Sequence, residues 1–378
     1  MDTKNSDIII IGGGVIGLAS AWRLAKEGHT VRLFEKNICG CGASNASMGV
    51  LNPPTPLSHN PLQIIHRKSL RVFPDFAKEL ISASSIDFHY IRCGALEIIP
   101  SETQVQRAKK EVAFTEENIS TIPNLPQLQL LTPQEVLELE PKVNVLEFGA
   151  LYTPSSAKVD VDPFISALKQ ACLNTNKVEI IEQCKVNEVL ISNYCVTGIK
   201  TESQDIYSAP IVLATVGVWT NELGAPLTQY TKVTPVRGQA VLTKYPNLQH
   251  IIKWQKGYLV PYPDDCVALG GTTEKKAGYD EICNIEGVSS IIDRAKTVFP
   301  EISKATFLGT WAGLRPAPDD RRPYIGELPN YKGLFVCTGH YKIGFSLTPI
   351  TSELVTKAIL KQVTDEELAP FLPRESAT

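Results

Sequence analysis

Asp7-Ile-Ile-Ile-Ile-Gly12-Gly-Gly14-Val-Ile-Gly17 opens the chain and runs into Leu18-Ala-Ser-Ala-Trp-Arg-Leu-Ala-Lys26, then Thr30-Val-Arg-Leu-Phe-Glu35. The four isoleucines read as a buried strand, Val15 to Lys26 has helical apolar spacing, and Thr30 to Phe34 is rich in β-formers. Together they predict one βαβ unit. Gly12, Gly14 and Gly17 have the GxGxxG spacing, which permits a tight turn, close approach of backbone to a pyrophosphate and close helix packing. The helix start at Val15 and Ile16 then presents N–H groups and a positive dipole end to the phosphates. Glu35 follows Gly17 by 18 residues at the tip of the second strand, where a carboxylate accepts from the hydroxyls of an adenosine ribose. The motif by itself leaves NAD and FAD equally open.

Outward from this unit, Thr132-Pro133-Gln134-Glu135 has a helix start with proline first and glutamate three residues after the cap. Asp162-Pro163 opens another helix, running to about Asn174. Val178–Glu182, Lys185–Ile191 and Ile211–Ala214 read as strands. From Tyr230 to Gly271 short β-rich runs dominate (Lys232–Leu242, Tyr258–Pro261, Cys266–Gly271), which predicts an antiparallel sheet inserted into the α/β pattern. The pattern returns with a strand at Gly333–Cys337, a glycine turn at Thr338–Gly344 and a helix from about Thr348 to Lys361. The fold class is therefore α/β: a Rossmann-like dinucleotide-binding domain interleaved with an antiparallel, β-rich domain.

Composition narrows the function. The 378 residues are 43% apolar and 20% charged, ordinary for about two globular domains, which excludes a disordered or fibrous chain. Basic and acidic residues nearly cancel, 37 against 40, with no block of like charge, so neither nucleic acid nor an anionic membrane is an expected partner. The longest uncharged stretches, Ile8 to Trp22 and Ile206 to Asn221, are too short for a transmembrane segment. Asp2, Asp7 and the glycine triplet argue against a signal peptide. Nine cysteines, scattered and odd in number, fit a reduced, cytoplasmic protein, and no ligand spacing suggests a metal; only Cys39 and Cys41 lie close together.

With these segments placed, the sequence resembles the D-amino acid oxidase family of flavoproteins, and within it the bacterial glycine oxidases of thiamine biosynthesis. The resemblance covers nearly the whole chain. It is carried by Gly12–Gly17 with Glu35, Gly42-Ala-Ser-Asn-Ala-Ser-Met-Gly49, Val161-Asp-Pro163, Pro235-Val-Arg-Gly-Gln239 and Gly257-Tyr-Leu-Val-Pro261. Trp311-Ala-Gly-Leu-Arg-Pro316, Asp320-Arg-Arg-Pro-Tyr-Ile-Gly326 and Thr338-Gly-His340 complete it.

The resemblance implies non-covalent FAD, held by Gly12, Gly14, Val15, Ile16, Gly17, Glu35 and Lys36, by Ala43, Ser44, Met48, Gly49 and Val50, by Val186, and by the turn Gly339, His340, Tyr341, Lys342, Ile343, Gly344, Phe345 and Ser346. It implies a discontinuous FAD domain over 1–85, 140–228 and 306–378, with 86–139 and 229–305 as the substrate domain. Arg315 matches the arginine that binds the substrate carboxylate, a task suited to a planar, bidentate guanidinium. Tyr258 matches a tyrosine that donates to the same group, and Lys342 stands where a second arginine is common. The implied reaction is hydride transfer from Cα of glycine, sarcosine or a small D-amino acid to flavin, then imine hydrolysis, with O2 or another electron acceptor. A dehydrogenase passing electrons to a quinone and a non-catalytic flavin-binding partner protein are the alternatives. The family often forms oligomers, so a homo-oligomer is compatible with the sequence. Three departures stand out: Lys342-Ile343 in place of Arg-Asn, an extra residue at Val216, and Ala312 near the position where related sarcosine oxidases attach flavin through cysteine.

Overall fold

The computed structural model describes residues 5–245, 248–254, 257–362 and 365–375. Strand Ile8–Ile11, helix Val15–Lys26 and strand Val31–Phe34 form the predicted βαβ unit. Ile8, Ile9 and Ile10 have no exposed surface, because both faces of the strand are covered. Ile8 and Ile10 pack under helices Val15–Lys26, Pro61–Ser84, Val161–Asn174 and Gly344–Ile359. Ile9 and Ile11 pack against a three-stranded antiparallel sheet of Val186–Ser192, Cys195–Thr201 and Ile206–Ser208.

Six strands form the central sheet in the order Tyr324–Glu327, Leu334–Thr338, Ile211–Ala214, Ile8–Ile11, Val31–Phe34, Val178–Ile181. All pair in parallel except the edge strand Tyr324–Glu327. The chain leaves Ile8–Ile11 to Val31–Phe34 on one side and reaches Ile211–Ala214 on the other, so Gly12 stands at the switch point where open α/β sheets bind ligands.

A second sheet has eight strands, in the order Thr306–Pro318, Val233–Lys244, Cys266–Gly270, Gly257–Tyr262, Ile251–Trp254, Ala95–Ile98, Ala150–Thr153, Gln129–Leu131. It is antiparallel except between Ile251–Trp254 and Ala95–Ile98. Thr306–Pro318 is hydrogen-bonded along its length to Val233–Lys244, from Val233 opposite Pro318 to Lys244 opposite Thr306. Ala150–Thr153 joins the far side of the same sheet. Both strands thus belong to the eight-stranded sheet, although they fall in the ranges 306–378 and 140–228 that the resemblance gives to the FAD domain. Their pairing partners are distant in sequence, so local pattern carries no sign of them.

The last helix also differs from expectation. It spans Gly344–Ile359 rather than starting at Thr348, and Pro349 lies inside it. Tertiary contacts set the earlier start. The Ser69 hydroxyl donates to the Ser346 carbonyl at 2.6 Å, Ser346 Oγ meets His66 Nε2 at 2.8 Å, and the Phe345 ring lies 5.2 Å from that of Phe164. The capping box at Thr132 forms as the sequence predicts, with Glu135 bonded back to the Thr132 amide.

Candidate active site

A long cleft opens where the carboxyl ends of the parallel strands face the eight-stranded sheet. Gly12, Gly14, Val15, Ile16, Glu35, Lys36 and Val186 line one end, Ala43, Ser44 and Met48 the middle, and Tyr258, Arg315, Gly339, His340, Tyr341, Lys342, Gly344 and Phe345 the other. At the first end the geometry suits a dinucleotide. Gly12 adopts φ +106°, and Thr215 locks the turn by donating to the Ile11 and Gly12 carbonyls at 3.0 and 2.8 Å. The Val15 amide donates to Ser44 Oγ at 3.1 Å, while those of Ile16 and Gly17 stand before the first intrahelical bond, Leu18 N–H to Gly14 O. These buried donors need an acceptor, which a pyrophosphate provides. Glu35 is aimed by two backbone amides, from Gly13 at 2.8 Å and Asn37 at 2.9 Å. The Lys36 ammonium caps the Trp219 ring 3.7 Å from its centroid, so that lysine is held by an aromatic face as well as lining the cleft.

At the other end, the amides of Gly344, Phe345 and Ser346 precede the bond from Leu347 N–H to Ile343 O, so the last helix points its positive end toward the cleft. Arg315 projects from strand Thr306–Pro318, and its NH1 donates to the Thr272 carbonyl at 3.0 Å. No carboxylate pairs with it among the described residues. Burial pushes the Tyr258 phenol up, so the hydroxyl keeps its proton and remains a donor. Burial pushes His340 down to about 4; it is neutral at pH 7 and bonded to Thr351 Oγ1 at 3.2 Å, a structural partner rather than a base. Lys342 reaches Thr273 Oγ1 at 3.2 Å, and partial burial together with the Arg315 charge holds its ammonium below the usual lysine range.

Five of the expected residues stand outside the cleft wall. A Cβ on Gly17 would lie 2.0 Å from the Gly12 carbonyl oxygen, and one on Gly49, at φ +65°, 2.1 Å from that of Val159. Those two glycines serve close packing. Val50, Ile343 and Ser346 line an adjoining chamber that shares Tyr258 and Lys342 with the cleft. Conversely, Thr215, Trp219, Gly238, Thr272 and Thr273 line the cleft without having been singled out as site residues. Gly238 lies in a motif visible in the sequence, whereas Thr272 and Thr273 carry no local signal. Cys39 is buried, and burial, reinforced by Glu182, pushes its thiol well above the ordinary range; Cys41 is exposed. No group of three or more His, Cys, Asp or Glu among the described residues is placed to hold a metal.

Gly238 lies across the strand pair from Gly313, and a Cβ there would come within 1.9 Å of Arg315 NH2. The guanidinium is the mobile end of a long side chain, so it can move aside without disturbing the sheet. Gly238→Ala should therefore displace the Arg315 guanidinium while shifting the melting temperature by no more than a few degrees; a crystal structure of the variant and a thermal melt test this.

The sequence profile of the FAD dependent oxidoreductase family, DAO, matches residues 7–358. The chain is similar to the glycine oxidase of Geobacillus kaustophilus (strain HTA426), at 30% identity over 375 residues that cover 98% of this chain and 97% of that protein. It superposes on the crystal structure of glycine oxidase from Geobacillus kaustophilus with a TM-score of 0.90 at 30% identity, covering 99% of this chain and all of that one. The structure of glycine oxidase from Bacillus cereus ATCC 14579 gives a TM-score of 0.89 at 29% identity, with the same coverage. The bifunctional protein ThiO/ThiG of Trichormus variabilis (strain ATCC 29413 / PCC 7937) is 27% identical over 97% of this chain and 54% of its own length. Because the profile match runs through both sheets and every segment that lines the cleft, the chain belongs to the DAO family of FAD-dependent oxidoreductases, as an amine-oxidising enzyme that uses FAD.

Proposed function

We propose that this protein is an amino acid oxidase acting on glycine, sarcosine or a small D-amino acid, with Arg315 as the anchor for the α-carboxylate. Bound FAD supplies a two-electron acceptor for the hydride leaving Cα, with O2 reduced to H2O2 and water converting the imine to a 2-oxo acid and the free amine, which is ammonia from a primary amine and methylamine from sarcosine. The chain's part is to bind and orient. Arg315 offers two parallel N–H groups to the carboxylate, and Tyr258 donates its hydroxyl beside them, which fixes the direction of the Cα–H bond. The N-terminus of helix Gly344–Ile359, which lines the cleft, would favour negative charge on a cofactor held there. Non-covalent retention of the cofactor is part of this reading, since strand Thr306–Pro318 contains no cysteine. Similarity to glycine oxidases and to a ThiO/ThiG protein supports a place in thiamine synthesis.

The observation that carries the proposal is a guanidinium in the cofactor cleft, braced by a carbonyl and without a carboxylate partner among the described residues. Anaerobic addition of glycine, sarcosine, D-alanine and D-proline to the yellow protein should bleach the flavin absorbance, and the same substrates in air should give peroxide. Bleaching without peroxide, with turnover only when an artificial acceptor is added, would make the enzyme a dehydrogenase; absence of bleaching by any amine would leave a non-catalytic flavoprotein.

A further inference from the structure

Arg315 is one of two cations at this end of the cleft without a carboxylate partner among the described residues. Lys342 is the other: its ammonium has Thr273 Oγ1 at 3.2 Å and the Tyr341 ring 5.2 Å away as neighbours, and no carboxylate partner among the described residues. The two side chains are braced by consecutive residues, Arg315 by the Thr272 carbonyl and Lys342 by the Thr273 hydroxyl. Consecutive Cα atoms are about 3.8 Å apart, so both cationic heads are tethered to one short stretch of backbone. The Tyr341 amide donates to the Pro316 carbonyl at 2.9 Å and ties the turn that carries Lys342 to the strand that carries Arg315. Burial, and after it the repulsion from the Arg315 charge, lowers the affinity of Lys342 for its proton.

A lone α-carboxylate neutralises one of these two charges. Other acids nearby are already committed. Glu274 is bound by Arg237, Glu97 by Arg107 and Lys253, and Glu111 by Arg107 and the Thr55 hydroxyl. Beyond Lys342 and Tyr258 the adjoining chamber extends to Thr55, Gln63 and Lys253, which gives a substrate longer than glycine somewhere to lie. Building on the amino acid oxidase reading above, we infer that the substrate carries two carboxylates: Arg315 takes the α-carboxylate, and Lys342 takes a second one on the side chain or on an N-carboxyalkyl arm. An amino dicarboxylic acid or an iminodiacetate-like amine has this chemistry, and the bonds made and broken remain those of amine oxidation.

The test uses purified holoenzyme and compares second-order rate constants for anaerobic flavin bleaching by glycine, sarcosine and D-alanine with those for D-aspartate, D-glutamate and iminodiacetate. The best dicarboxylate should exceed every monocarboxylate at least tenfold. Lys342→Met should cut that ratio tenfold or more, and Lys342→Arg should keep it. Independently of turnover, malonate or succinate should perturb the wild-type flavin spectrum at concentrations at least tenfold lower than acetate or propionate. Monocarboxylates that match or outrun every dicarboxylate overturn the inference and leave the oxidase reading intact. So does a loss in Lys342→Met that is equal for both classes, since Lys342 would then act on the shared carboxylate or on the cofactor. Failure of every amine to bleach the flavin defeats both.

Discussion

Arg315→Ala is expected to lower kcat/KM for amino acid substrates by roughly thirtyfold to five thousandfold while the protein stays yellow. The range follows from a loss of about 2 to 5 kcal/mol when one partner of a desolvated, hydrogen-bonded charge pair is removed, at about 1.4 kcal/mol per factor of ten. The fold should survive because Arg315 contributes little to it. Its guanidinium is only part-buried, and the principal bond lost is that to the Thr272 carbonyl. The strand around it is held by main-chain pairing with Val233–Lys244, which alanine preserves. Arg315→Lys should recover part of the loss by restoring charge without the bidentate fork. Steady-state kinetics beside the ratio of flavin to protein absorbance read both halves of this expectation, and near-normal activity in the alanine variant would remove Arg315 from the role of anchor.

Gly17→Val should have the opposite profile, with the cofactor lost and stability reduced. A Cβ at position 17 would stand 2.0 Å from the Gly12 carbonyl oxygen and 2.6 Å from Thr215 Oγ1. The first contact is main chain, fixed between Ile8–Ile11 and the helix, so it cannot swing away. Either the helix backs off its strand or the glycine turn opens, and each spoils the alignment of helix amides that suits a pyrophosphate. Overpacking of a well-filled interior costs about 1 to 3 kcal/mol, and a clash against main chain should fall at or above the top of that range. The purified variant is expected to be largely colourless and to melt at a lower temperature. Gly309→Ala is the control, because a Cβ there meets nothing within 4 Å and its φ is ordinary; it should keep both colour and melting temperature. A yellow, stable Gly17→Val protein would show that close packing at this glycine is dispensable.

The three motif glycines illustrate how far sequence spacing reaches. The motif gives Gly12, Gly14 and Gly17 different tasks, and the structure divides them accordingly: Gly12 and Gly14 line the cleft, and Gly17 stands behind it as the packing contact. The third position of the motif is there for helix-to-strand packing, so the division agrees with the role the spacing assigns. Thr272 and Thr273 make the contrary case. Nothing in their neighbours marks them, yet they brace the two cations of the candidate substrate end. Val216, noted as an extra residue, stands just before the short helix Gly217–Leu223, where its carbonyl accepts from the amide of Trp219, whose ring lies against the Lys36 ammonium.

What the sequence alone determined is what repeats locally: the strand, glycine turn and helix of the first unit, the carboxylate at position 35, the capping box at Thr132 and the β-rich character of the middle. Each is decided by residues within a few turns of one another, through apolar period, backbone freedom and capping chemistry. The tertiary structure alone decided that Thr306–Pro318 pairs with Val233–Lys244, that the last helix begins at Gly344, and that Thr272 and Thr273 brace Arg315 and Lys342. Those outcomes depend on the register of strands far apart in the chain and on side chains such as Ser69, His66 and Phe164 arriving from other elements. A local pattern cannot encode such arrivals, because sheet register and helix docking are settled by the burial of all the partners at once.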